Sequence, residues 1–233
     1  MADTHKTVII TGANGNLGSA VTQVFLNKSY RVLATLAEES MKKDMPSHPN
    51  LELAVVNLSN EEEAGAFVQS AINKYGKLEG ALLLVGGFMM GNIASTTGAD
   101  LKKQFSLNFE TAYYTARPIF QQMLKQNQGR IIFIGARPAI SPAQGKDLVA
   151  YSLSKSLLFR LAELMNEEAR GKNVTASVVA PSTLDTPLNR KSMPEVDPAD
   201  WVKPAALAEI LEFLVSDKGS VLRETVLKVY NNA

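Results

Sequence analysis

Tyr151 and Lys155 stand four residues apart in the run Tyr151-Ser152-Leu153-Ser154-Lys155. On a helix, positions i and i+4 share one face, so the phenol and the ammonium point the same way. A neighbouring cation favours phenolate, so the spacing predicts a tyrosine pKa lowered from about 10 toward working pH. That pair suits the proton donation that accompanies a hydride transfer. Near the start of the chain lies a second candidate, Thr11-Gly12-Ala13-Asn14-Gly15-Asn16-Leu17-Gly18. Glycines there allow a tight turn and let backbone N–H groups approach a pyrophosphate at the positive end of a following helix. Gly18 would let that helix sit close to a sheet. The position of this turn straight after a strand-like run points to dinucleotide binding.

Other chemistries are excluded by composition. The 233 residues include 24 Lys and Arg against 23 Asp and Glu, a net charge of +1. Such a balance gives no field to gather nucleic acid or an acidic membrane surface. Cysteine is absent, which removes disulfides, thiolate chemistry and Cys-bound zinc. His5 and His48 are the only imidazoles, so neither a histidine triad nor a metal site is expected. The start, Met1 to Lys6, leads straight into an apolar stretch and lacks a signal-peptide layout. The longest apolar run, residues 81–90, falls far short of the roughly 20 residues that span a membrane. A soluble, cytoplasmic protein acting on a small molecule is the expectation, with no nucleic-acid or membrane partner.

The elements that must position these residues alternate along the chain. Strand-like runs fall at 6–11, 30–36, 51–57, 80–86, 129–135, 174–180 and 225–230, with helical periodicity at 16–28, 60–75, 99–127, 148–170 and 204–217. Runs such as Leu82-Leu83-Leu84-Val85 and Ile131-Ile132-Phe133-Ile134 are apolar throughout, as strands covered on both faces must be. The alternation predicts one α/β domain over 1–233: a Rossmann-type, doubly wound, seven-stranded and mainly parallel sheet with helices on both faces. Two irregular stretches, 137–147 and 181–203, follow strands and so belong at the carboxyl edge of the sheet, where ligands bind in such folds. Pro187, Pro194, Pro198 and Pro204 keep the second from forming a continuous helix, and it reads as a substrate flap.

Taken together, the glycine turn and Tyr151-x-x-x-Lys155 resemble the short-chain dehydrogenase/reductase family over essentially the whole chain. The resemblance implies Tyr151 as proton donor and Lys155 as the group that holds the nicotinamide ribose and tunes it. It implies that Asn108, in Leu107-Asn108-Phe109, anchors a water of the proton relay. Gly12, Asn14, Gly15, Asn16, Leu17 and Gly18 would contact the dinucleotide, Asn57-Leu58 the adenine, and Gly86, Gly87, Pro181, Leu184 and Thr186 the nicotinamide half. The second strand ends in Leu33-Ala34-Thr35-Leu36, with Glu38, Glu39, Lys42 and Lys43 following, and singles out neither NADH nor NADPH.

Three departures narrow the resemblance. Ala136 stands where the family places a serine for the substrate carbonyl, Val85-Gly86-Gly87-Phe88 replaces the usual Asn-Asn-Ala-Gly, and the glycine spacing is altered. These features, with the run 184–195 and Trp201, resemble the dihydropteridine reductase branch, which implies a quinonoid pterin as substrate. Phe88 would then offer an apolar face to a flat ring, with Met89 or Met90 beside it. Ser141 is the rival donor for an ordinary carbonyl or quinone. A non-catalytic dinucleotide sensor is the reading from another class, against which the intact Asn108, Tyr151 and Lys155 stand. Family members pair through the two long helices, so a homodimer is expected, with a homotetramer as the alternative.

Overall fold

The protein is described from a computed structural model covering residues 5–224 and 226–232. The lead-in Met1–Thr4, and Thr225 at the start of the seventh predicted strand, lie outside the described residues. Seven strands form one sheet: β1 (Thr7–Thr11), β2 (Arg31–Leu36), β3 (Leu51–Val55), β4 (Gly80–Leu83), β5 (Gly129–Ile134), β6 (Val174–Pro181) and β7 (Val226–Val229). Their order is β3-β2-β1-β4-β5-β6-β7. Every pairing is parallel, so the sheet is wholly rather than mainly parallel.

Alternation along the strands sorts the core into two layers. Val8, Ile10, Leu82, Ile132, Ile134 and Val179 face helices α1 (Asn16–Asn27) and α8 (Pro204–Val215). Ile9, Ala81, Leu83, Ile131, Phe133 and Val178 face α2 (Glu61–Tyr75), α4 (Thr111–Gln126) and α6 (Val149–Glu168). Helix ends follow local chemistry. Asn60 accepts hydrogen bonds from the Glu62 and Glu63 amides to start α2, and Gly76 at φ 75° ends it. Thr97 and Asp100 form a reciprocal capping box at α3 (Gly98–Phe105).

The predicted helix over 99–127 is present but not uniform. Between α3 and α4 lies a π-helical turn, Ser106–Glu110, which carries Asn108 inward. Such turns insert a residue into a helix and are frequent at functional sites. Short helices α5 (Pro142–Gly145) and α7 (Pro187–Ser192) occupy the two stretches expected to be irregular. In α7, six residues long, the proline sits at a first-turn position and Thr186 caps the helix, so the stretch 181–203 holds a short helix but, as expected, no continuous one. Among the described residues no helix is long and apolar enough to cross a membrane.

The chain order reverses between β1 and β4, which opens a crevice at the carboxyl edge. Thr11 joins the two sides of it, its hydroxyl accepting from the Leu84 amide at 2.9 Å. Near this edge the Phe133 ring of β5 is fully shielded from water. Replacing Phe133 by alanine is expected to destabilise the fold by about 3–5 kcal/mol. Urea unfolding followed by circular dichroism reads that loss directly.

Candidate active site

The glycine turn is shaped by close contact. Gly12 has φ 63°, and a Cβ on Gly18 would stand 2.1 Å from the Gly12 carbonyl oxygen, so α1 packs directly on the turn. No side chain caps the amino end of α1 at Gly15. The first amides of the helix, those of Asn16 and Leu17, thus face the crevice mouth with the positive end of the helix dipole. That is a fitting cradle for a pyrophosphate. On the neighbouring strand ends, Leu36 is buried while Ala37, Glu38 and Glu39 are exposed. Lys42 is held by Glu39 at 2.8 Å. Asn57 is exposed and accepts from the Ser59 amide at 3.1 Å. Leu58 is buried with Val56 and Ala64.

Across the crevice, α6 presents Tyr151 and Lys155 on one face. The Lys155 ammonium is buried and donates to the Ile134 carbonyl, at the end of β5, over 2.9 Å. Burial depresses its pKa from 10.5 to about 8. Burial also pushes the Tyr151 phenol up, to about 12. This is opposite to the lowering expected from the Tyr–Lys spacing, and its cause is the loss of water around the phenolate on burial. The phenol consequently keeps its proton at neutral pH.

Asn108 completes the cluster. Its Oδ1 accepts from the Gly87 amide at 2.8 Å, and its Nδ2 donates to Gln104 Oε1 at 2.8 Å, Ser154 Oγ at 3.0 Å and the Gly87 carbonyl at 3.1 Å. A Cβ on Gly86 would lie 2.7 Å from Asn108 Oδ1 and 2.8 Å from Lys155 Nζ. Only glycine fits between those two groups. Gln104 and Ser154 were not among the residues singled out from sequence. The available signal was the four-residue spacing from Gln104 to Asn108, two amides on one helix face.

The substrate side is apolar. The Phe88 ring meets Tyr151 edge-on with centroids 5.2 Å apart, and Phe88 and Met90 are 63% and 71% exposed. Ala136, at the end of β5, is buried and brings no hydroxyl. Ser141 immediately precedes α5 and its side chain makes no cap hydrogen bond. Pro181 ends β6; Leu184 pairs with Val202, and buried Thr186 caps α7. Asp185 and Arg190 join through two hydrogen bonds, of 2.6 and 2.9 Å. Ser182 Oγ donates to the Tyr230 carbonyl at 2.7 Å, tying this segment to the end of β7.

This arrangement has known counterparts. The short chain dehydrogenase family matches residues 6–197. The chain belongs to that family. Dihydropteridine reductase of Dictyostelium discoideum is 27% identical over 88% of this chain and 86% of its own length. Acetoacetyl-CoA reductase of an Acinetobacter species is 25% identical over 97% of this chain and 96% of its own. Among solved structures, gox2181 superposes with a TM-score of 0.88 at 23% identity, covering 97% of this chain and 94% of that one. ElxO with NADP bound gives 0.89 at 20% identity, over 97% of both. As a short-chain dehydrogenase the protein is an oxidoreductase that uses a nicotinamide dinucleotide. The uncapped α1 and the close Gly12–Gly18 packing fit that group.

The buried ammonium links stability to pH. Between about 8 and 10.5 the unfolded chain keeps the Lys155 proton that the folded chain has lost. The unfolded state then binds more protons, so this residue makes stability rise with pH across that window. The difference in unfolding free energy between the protein and Lys155→Met is expected to grow by up to about 3 kcal/mol from pH 8 to 10.5. Urea titrations at several pH values measure it, and a flat difference would contradict the buried, depressed ammonium.

Proposed function

We propose that the protein reduces a quinonoid dihydropterin with NADH or NADPH, Tyr151 supplying the proton. The observation that carries this reading is Ala136. An ordinary ketone gathers negative charge on oxygen as hydride arrives, and losing one donor to such a centre costs about 10²–10³ in rate. A quinonoid dihydropterin spreads that charge over a conjugated ring and takes its proton on nitrogen, so one donor suffices. The exposed Phe88 ring beside Tyr151 suits a flat heterocycle. The likeness to the Dictyostelium dihydropteridine reductase agrees with the substrate class.

In this reading the bound dinucleotide supplies the hydride. Gly12, Asn14, Gly15, Asn16, Leu17 and Gly18 hold its pyrophosphate side, Asn57 and Leu58 the adenine, and Gly86, Gly87, Pro181, Leu184 and Thr186 the nicotinamide half. Lys155 holds the ribose, and Asn108 orders the proton path behind Tyr151. With its pKa near 12 Tyr151 stays protonated until it gives the proton to the substrate nitrogen. Residues 181–203 cover the substrate as a flap on a single domain spanning 1–233. The protein works in the cytoplasm as a homodimer. Its contact face includes Phe105 and Tyr113, exposed at either end of a ladder of rings through Phe109.

Oxidation of NADH and of NADPH, followed at 340 nm with quinonoid dihydropterin generated in situ, tests the reading. Rapid turnover is expected, and Tyr151→Phe should lower kcat about 10²–10⁴-fold with nucleotide affinity kept. Reduction of an acetoacetyl thioester or a quinone, with none of the pterin, would sink the substrate class and make Ser141 the next residue to change. Tight nucleotide binding with no turnover of any of them would point to a dinucleotide sensor.

A further inference from the structure

Gln104 is a polar side chain only 2% exposed, on a helix face packed against α6. Its partner is Asn108, one turn on, which is itself fully buried. The Asn108 amide must be oriented one way only. Its Oδ1 meets the Gly87 N–H, a donor that cannot be reversed, and stands at the corner shared with Gly86 and Lys155 Nζ. Its Nδ2 carries two hydrogens, and of the three acceptors around it Gln104 Oε1 is the nearest, at 2.8 Å. Ser154 Oγ, the second, donates onward to the Tyr151 carbonyl at 2.8 Å. The hydrogen bonds thus run in one sense from Asn108 through Ser154 to the backbone of the proton donor, and Gln104 anchors the amide beside them.

The π turn makes this anchor necessary. A π-helical segment departs from the regular i to i−4 hydrogen bonding that holds an α-helix, and it bears Asn108 at its centre. The Asn108 amide on this turn is held by the Gly87 backbone together with Gln104 and Ser154, and each lost partner leaves a desolvated polar group behind.

We propose that Gln104 is a positioning residue of the proton path: its amide oxygen fixes Asn108 so that Oδ1 faces Gly87 and the Lys155 corner. It touches no reacting atom. The proposal rests on reading Asn108 and Lys155 as parts of that path, and its test separates the two.

The experiment compares Gln104→Met, which keeps the length and removes the acceptor, with Asn108→Ala and the double variant. Amide hydrogen exchange at Gly87 is read by NMR on the protein alone. In Gln104→Met, exchange at Gly87 should quicken about tenfold, the effect of loosening one hydrogen bond. In turnover of quinonoid dihydropterin, or of acetoacetyl thioester if the pterin is not reduced, kcat should fall about tenfold with KM within about twofold. Adding Gln104→Met to Asn108→Ala should change neither readout further, because the residue acts through Asn108. Gln104→Glu, which keeps an acceptor oxygen, should restore Gly87 protection. Full additivity in the double variant, or unchanged Gly87 exchange in a folded Gln104→Met protein, overturns the proposal. A Gly87 effect without any effect on kcat leaves the anchor in place and overturns the proton-path reading instead.

Discussion

The hydrogen bond from Lys155 Nζ to the Ile134 carbonyl, 2.9 Å long, joins helix α6 to the last residue of β5. The central strands of this parallel sheet are apolar on both faces, so most of the site's polar groups gather at the strand ends. There the final carbonyls lack a neighbour in the ladder, and a buried ammonium supplies one. The same bond sets where α6 lies against the edge, and so where Tyr151, one turn earlier, can point. It also explains Gly86, since the space beside Lys155 Nζ and Asn108 Oδ1 has no room for a side chain.

Charge elsewhere in the molecule is matched rather than concentrated. At the opposite, amino-terminal edge lies a cavity of about 710 Å³ bounded by Lys6, Lys28, Tyr30, Glu212 and Asp217. Two of its lysines are ion-paired, Lys6 with Asp217 at 2.7 Å and Lys28 with Glu212 at 3.7 Å, and Tyr30 donates to Glu212 at 3.1 Å. The Tyr30 phenol is pushed up by burial and by that carboxylate, so it too stays neutral. The convergence of buried, perturbed groups favours the carboxyl edge, where Tyr151 and Lys155 depart from their ordinary values without an ion pair to account for it.

Much of this was legible in the residues. Apolar runs such as Ile131 to Ile134 mark the strands because a doubly covered strand admits few polar residues, and the alternation of elements points to a doubly wound parallel sheet. The Tyr151–Lys155 spacing located the pair correctly on α6 but misjudged the phenol, because spacing reports direction and says nothing of how much water is lost. The π turn at Ser106–Glu110 is not legible in the residues, since a one-residue insertion shifts the apolar period too little to stand out in a short segment. Helix α7 is hidden for another reason: the prolines exclude a continuous helix over 181–203 but not a short one, which Pro187 in the first turn behind a Thr186 cap starts.

The two perturbed groups also constrain what the site can do without a serine. A lone donor must hold its proton until the acceptor is ready, which favours a phenol that is hard to ionise. Burial that raises Tyr151 to about 12 achieves this, whereas a phenolate formed near neutrality would leave the acid form scarce. The burial that lowers Lys155 to about 8 leaves the ammonium only modestly held at neutral pH, so a developing anion nearby would strengthen its charge. In the roles proposed for them, donor and cation respond to the reaction rather than precede it. A substrate that delocalises its charge asks no more of the site than that, and a localised alkoxide would ask for the hydroxyl that Ala136 lacks.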